Sequence, residues 1–318
     1  MLSPVPHWSS KVLLTSVRLD IYSQLSGGPK TAGQVARRIG ADPNALTVLL
    51  NALVALGLLQ RRRNYYVNNP LSTRWLDSAS PEYAGHQLLC EDRWWKLWDR
   101  LERRVLRGRP VLRRSVFHQD PKTTEELLLG LHRDALALAP RLVQRLPFLA
   151  QAESVLDVGG GSGTFSIAFC KAYPRLRATV VDLPYALAVA RRVVAKAGMG
   201  RRVELVPCDV LKEPLPGQHT VVFISNLLHN FSPGQSQRLL RKSWQALHRG
   251  GWIVLRDVLL NEDRVSPAWG ALFSVNMLLH SPHGRCYSRG EVTRWLEQAG
   301  FQEVREVQRN EVLVARKA

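Results

Sequence analysis

The chain has 318 residues, 45% of them apolar, and a formal net charge of +18 from 44 Lys and Arg against 26 Asp and Glu. This length closes one large core or two modest ones, and no apolar run approaches the roughly 20 residues that cross a bilayer, which excludes a membrane-spanning protein. The four cysteines, Cys90, Cys170, Cys208 and Cys286, are scattered with no CxxC or HxxxH partner, which excludes a disulfide framework and a zinc site; no metal is expected. The N-terminus has no basic segment followed by a long apolar one, so the expectation is a soluble cytoplasmic protein. The positive charge fits nucleic acid, an acidic ligand or a generally arginine-rich composition.

In chain order, residues 9–25 carry Val12, Leu13, Val17, Ile21 and Leu25 at helical spacing, and Gly27-Gly28-Pro29 stops them, so one helix is predicted. Thr31 opens a helix that Gly40 closes, and Asp42-Pro43 opens another with an apolar stripe from Leu46 to Leu56. Leu58 to Gln60 and Tyr65 to Val67 flank the polar tip Arg61-Arg62-Arg63-Asn64 and read as two short strands. Together these segments make a winged helix. Its second helix, Asp42 to Gly57, has no Lys or Arg and offers a partner only Asn44, Thr47 and Asn51, which suits protein packing better than base reading. The basic run from Arg93 to Arg114 reads as a solvated helix face, because its charges recur at three and four and leave Trp94, Leu97, Trp98 and Leu101 for the other side. The apolar surface of Trp94, Trp95 and Trp98 calls for a dimer partner.

After a helical segment from Thr123 to Leu146 the pattern changes. A first domain is expected over 1–145, all-helical apart from the wing, and a second over 146–318. In the second, apolar β-branched runs at 155–158, 178–181, 203–206, 221–224 and 252–258 alternate with helical segments, as a doubly covered parallel sheet requires. Phe301 to Val307 and Val312 to Ala315 close it as an antiparallel hairpin.

The first strand runs into Gly159-Gly160-Gly161-Ser162-Gly163. Glycines there allow positive φ and close approach of a ligand to a helix N-terminus. By itself such a loop fits NAD, FAD or S-adenosylmethionine. Asp157 precedes it and is placed to accept backbone N–H groups from the loop. Asp182, about 20 residues on, ends the second strand, where it can accept both ribose hydroxyls or cap the next helix. Asp209 ends the third strand, beside an adenine amino group or as a loop cap. His229 follows the fourth strand, where open α/β sheets bind ligands, and is placed for catalysis.

The segments GADPNALTVLLNALVALGLL, LDVGGGSGTF, VVDLP, LLHNF, HRGGWIVLRDVLLNED, FSVNMLL and EVTRWLEQAGF resemble the S-adenosylmethionine-dependent O-methyltransferases of the plant-type and acetylserotonin-methyltransferase group, over nearly the whole chain. The resemblance implies a class I methyltransferase, Rossmann-like and parallel with an antiparallel C-terminal hairpin, behind an N-terminal dimerisation domain that makes an intertwined homodimer. It implies that Gly159, Gly161 and Asp182 hold S-adenosylmethionine, with Asp209 near its adenine and Asp157, Leu183, Val210 and Ser225 beside it. His229 becomes the general base, and Phe273, Asn276, Met277 and His280 line the pocket of a small aromatic or polyketide-like hydroxyl acceptor. The chain departs from the family at Asn230 for Asp, Phe231 for Trp, Ser225 for Lys and Cys286 for the glutamate that orients the base. Loss of that glutamate predicts a histidine with no carboxylate partner and a weaker base, which favours a thiol or nitrogen acceptor as the rival reading. A winged-helix nucleic-acid protein with S-adenosylmethionine as ligand is the rival of another class, supported only by Arg61 to Arg63 and the net charge; nucleic acid and membrane are not expected partners.

Overall fold

The computed structural model describes residues 6–112 and 121–318. Contacts divide the chain into two compact units between Lys96 and Leu97.

The first unit begins with α1 (Pro6–Arg18) and α2 (Ile21–Leu25). The single helix expected over 9–25 is broken in two because Asp20 takes a left-handed conformation, φ 51°, with its carboxylate accepting the Ser23 hydroxyl at 2.6 Å. Asp is among the few non-glycine residues that visit this region readily. A two-residue strand β1 (Lys30–Thr31) leads to α3 (Ala32–Ile39), where Thr31 and Gln34 form a reciprocal capping box and Gly40 closes the helix at φ 69°. Caps of this kind contribute about 1 kcal/mol. Helix α4 (Pro43–Ala55) starts on the Asp42 carboxylate, then β2 (Leu59–Arg62) and β3 (Tyr65–Asn68) form the expected wing. The strand order β1-β3-β2 adds a third strand to it, so this winged-helix unit is helical but not all-helical. Its core is Val17, Ile21, Tyr22, Leu25, Val35, Leu50, Leu53 and Tyr66. Short α5 (Pro70–Trp75) and α6 (Gly85–Trp98) follow. Trp94 and Trp95 are half-buried, and the Lys11 ammonium lies 4.1 Å over the Trp95 ring.

In the second unit, α7 (Leu101–Arg107) is separate from α6, so the basic run is not one continuous face. Arg104 turns inward and donates to the carbonyls of Leu278, at 3.3 Å, and Pro282, at 3.4 Å. Arg113 and Arg114 lie outside the described residues. Helix α8 (Pro121–Gln144) packs on α9 (Thr164–Ala172) and α10 (Pro184–Lys196). The packing therefore puts α8 with the sheet that follows it, whereas the boundary expected at 145/146 puts it in the first domain.

The sheet has seven strands in the order β11-β12-β8-β7-β4-β5-β6. Strands β4 (Ser154–Val158), β5 (Arg177–Asp182), β6 (Val203–Pro207), β7 (His219–Ser225) and β8 (Leu247–Arg256) are parallel; β12 (Val312–Lys317) runs against β8 and against β11 (Phe301–Gln308). Alternation along the strands builds two cores. Leu156, Val158, Val222, Ile224, Ile253 and Leu255 face α11 (Pro233–Gln245) and α13 (Arg289–Gln298), while Val155, Val221, Phe223 and Val254 face the end of α8 and α9.

Strand β8 starts earlier than the sequence pattern suggests and ends at Arg256 rather than Val258. Asp257 leaves the β7 edge, its N–H going to the carbonyl of Glu311 at 2.9 Å. Beyond it β9 (Leu259–Leu260) pairs in parallel with β10 (Tyr287–Ser288), and α12 (Ala268–His280) lies between them in sequence. No helix among the described residues is long and apolar enough to cross a membrane.

Candidate active site

The glycine loop joins β4 to α9. Gly159 and Gly161 have φ of 68° and 56°. Gly160 does not take positive φ; it is required for space, since a Cβ there would sit 2.7 Å from the Asp157 carboxyl carbon and 2.8 Å from Val180. The Gly161 N–H donates to the Asp182 carboxylate at 2.8 Å, and the Leu183 N–H donates to its other oxygen at 2.7 Å. Asp182 thus fixes the loop from the end of the neighbouring strand, and Leu183, not Asp182, is the cap residue of α10. Asp157 is buried and accepts the Ser166 hydroxyl at 2.6 Å. It therefore anchors the first turn of α9, where the sequence suggests bonds from the glycine N–H groups. Burial raises both carboxyls, Asp157 to about 7 and Asp182 in the same direction.

These residues wall a cavity of about 880 Å³. Asp157, Gly159, Gly161, Asp182, Leu183, Asp209, Val210 and Ser225 all line it, so the eight positions expected to hold a donor converge on one space. Leu128, Leu131 and Leu138 of α8 close one side. Asp209 pairs with Lys212 at 2.9 Å. Ser225 accepts from Nη1 of Arg256 at 3.3 Å. The volume of the cavity suits an S-adenosylmethionine-sized molecule, and the buried Asn230 Oδ1 on its wall has no hydrogen-bond partner among the described residues.

His229 lies in a 3-10 turn (Leu228–Asn230) just past β7. It is buried and is not itself on the cavity wall, although its neighbours Asn230 and Phe231 are. Its Nδ1 lies 2.5 Å from Asp257 Oδ1, and Asp257 Oδ2 accepts the N–H groups of Leu228 and His229 at 3.0 and 3.4 Å. This overturns the expectation of a histidine without a carboxylate: the partner comes from the end of β8 instead of from the Cys286 segment. A carboxylate only accepts, so Nδ1 is the ring nitrogen that donates to Asp257 and Nε2 is the one left for proton transfer. Cys286 is buried beside this pair, and burial and the Asp257 charge push its thiol up to about 12, so it stays neutral.

The acceptor-side positions are placed on α12. Phe273 presents its ring edge-on to His229 at 5.2 Å. Met277 and His280 are buried and Asn276 is half-buried; none of the four lines the donor cavity. Burial lowers His280 to about 4, which keeps it neutral. The turn carrying His229 is gripped from the segment after α12, because Ser281 donates to the Asn230 carbonyl at 2.6 Å, the Arg285 N–H to the His229 carbonyl at 3.0 Å, and the Tyr287 hydroxyl to the Phe231 carbonyl. Sequence reasoning missed Asp257. Its signal is an acidic residue directly after the apolar run WIVLR, on the strand next to the one that ends at the histidine turn.

In the first unit, Asn51 is committed within the fold: its Oδ1 accepts from the Tyr66 hydroxyl at 2.8 Å and from Arg61 at 2.9 Å. One of the three polar side chains that the second helix offers a partner is therefore spent on the wing.

The family model for the O-methyltransferase domain matches residues 108–302, and that for the O-methyltransferase dimerisation domain matches residues 6–78. The chain is 31% identical over 306 residues to 3-hydroxy-5-methyl-1-naphthoate 3-O-methyltransferase of Streptomyces sahachiroi, covering 94% of this chain and 88% of the relative. It is 32% identical over 304 residues to the tetracenomycin polyketide synthesis 8-O-methyl transferase TcmO of Streptomyces glaucescens, covering 94% and 89%. The solved structure of PigF with SAH superposes with a TM-score of 0.89 at 27% identity over 99% of this chain and 97% of that one. The chain belongs to the O-methyltransferase family, enzymes whose methyl donor is S-adenosylmethionine.

Proposed function

We propose that this enzyme methylates a hydroxyl of a small aromatic or polyketide-like acceptor with His229 as general base, and that it works as a homodimer through the N-terminal unit. The observation that carries the reading is the buried His229–Asp257 pair at 2.5 Å beside the donor cavity. Donor binding falls to Asp182 at the ribose, Asp209 near the adenine, and Gly159, Gly161, Leu183 and Val210 around them, with Asp157 and Ser225 towards the other end. The donor supplies an electrophilic methyl group on a sulfonium.

The residues of this chain supply position and proton transfer. Phe273, Asn276, Met277 and His280 hold the acceptor against the turn that carries His229, so that its hydroxyl oxygen meets the methyl carbon in line. A phenol has a pKa of about 10 and keeps its proton in neutral water, so the proton moves to His229 as the new bond forms rather than beforehand. Asp257 holds the ring in the tautomer with Nε2 unprotonated and stabilises the imidazolium that results. The neutral Cys286 adds no charge, and a base with a carboxylate partner removes the reason to prefer a thiol over a hydroxyl.

A screen of phenol, thiol and amine acceptors with methyl-labelled donor tests the reading. Label on oxygen of a phenol or polyketide-like acceptor is expected; label only on sulfur or nitrogen overturns it. Salt-sensitive binding of random duplex DNA at low salt, with no transfer to any small acceptor, would favour the nucleic-acid alternative.

A further inference from the structure

The donor cavity has a polarity that the order of the strands imposes. Asp182 ends β5 and Asp209 follows β6, at the outer edge of the parallel strands. Ribose and adenine placed there leave the amino-acid end of the donor towards β4, β7 and β8. That end carries an ammonium, which suits an acidic side chain such as Asp157, and a carboxylate, whose lost hydration is best offset by a cation. Of the Lys and Arg side chains on the described wall, Lys212 stands at the other end, paired with Asp209, and Arg256 stands at this one.

Arg256 is built into its place. It is the register partner of Ser225 across β7 and β8. Nε and Nη2 both donate to Glu311 Oε1 at 2.7 Å, the guanidinium carbon lies 5.6 Å from the Phe165 ring centroid, and the side chain is only 12% exposed. Glu311 is held in turn by the Gln308 amide. This arrangement spends one edge of the guanidinium on the protein and leaves the Nη1 edge with a single weak partner, the Ser225 hydroxyl at 3.3 Å. A planar fork fixed on one edge is preorganised for a carboxylate on the other.

We propose that Arg256, oriented by Glu311 and Ser225, binds the carboxylate at the amino-acid end of the methyl donor. The proposal rests on the donor assignment of this cavity. Arg256 then acts as a positioning residue: anchoring the far end of the donor sets how far its sulfonium reaches towards the turn of His229.

The test is calorimetry on the full chain with two ligands, S-adenosylhomocysteine, which has the carboxylate, and 5′-methylthioadenosine, which lacks the whole amino-acid end. Arg256→Gln is expected to weaken S-adenosylhomocysteine by about tenfold or more, the range of a lost charge-assisted bond, and to leave 5′-methylthioadenosine within about twofold. Arg256→Lys is expected to recover part of the loss, and Glu311→Gln to show the same selectivity to a smaller degree. Equal weakening of both ligands overturns the proposal and makes the Arg256–Glu311 pair a structural strut. Unchanged affinity for S-adenosylhomocysteine, with KM raised only for acidic acceptors, also overturns it and assigns Arg256 to an acceptor carboxylate. Failure of the wild-type chain to bind either ligand would instead refute the donor assignment.

Discussion

Asp257 and His229 are 28 residues apart in sequence, yet the carboxylate of one lies 2.5 Å from the ring nitrogen of the other. Strand order makes the meeting possible. β7 delivers His229 and the adjacent β8 delivers Asp257 at the same edge of the sheet, both one or a few residues past the last backbone pairing.

Asp257→Asn is expected to lower kcat by about 100-fold, within the range of a base that loses its orienting partner, with donor affinity unchanged; His229→Ala lowers it at least as far. The double variant should be no worse than His229→Ala, because the two side chains act as one unit. Cys286→Ala, by contrast, is expected to stay within about twofold, since its thiol is neutral. Steady-state kinetics on the four variants checks this, and independent, multiplying losses for Asp257 and His229 would refute the coupled pair.

Asp182→Asn removes the charge proposed to face the ribose and keeps an oxygen acceptor for only one of the Gly161 and Leu183 N–H groups. Donor affinity should drop about tenfold, and the melting temperature should fall modestly because one backbone N–H loses its acceptor. Asp182→Ala should lose more affinity and some stability, because the Gly161 N–H then lacks its partner. Calorimetry at wild-type affinity for both variants would reject the ribose assignment.

Asp157 sets a pH dependence of stability. Burial raises its pKa to about 7, against about 3.9 unfolded, so between those values the folded chain keeps a proton that the unfolded chain has released. Its favourable contribution is complete below about pH 4 and is lost as pH rises through about 7. Asp157→Asn removes that loss. The melting temperature of the variant relative to wild type should rise between pH 5 and pH 8 in the ligand-free protein; a constant difference across that range would contradict the shift.

What the sequence revealed was local. The glycine loop, Asp182 at the end of its strand and the winged helix are each specified by near neighbours in sequence, and the alternating strands are found in the expected order, β8 alone starting earlier and ending sooner than its pattern. The break at Asp20 depends on one left-handed residue with no glycine to announce it. Helix α8 packs on α9 and α10, and its apolar residues do not state in sequence which unit they face. The partner of His229 was the largest omission: Cys286 stands at the position where a local alignment puts a carboxylate, and the true carboxylate is identified only by which strand lies next to which. Arg256 is hidden for the same reason, since its partners Ser225 and Glu311 are far from it in sequence.

Leu259 and Leu260 are stitched to Tyr287 and Ser288, so the stretch between them, α12 included, is a closed excursion with both ends pinned. The same stretch carries Ser281 and Arg285, whose bonds to the carbonyls of Asn230 and His229 hold the histidine turn, so a change in its length is felt at His229 itself. A graft of residues 261–286 from a relative would therefore exchange the proposed acceptor side and the grip on the histidine turn together.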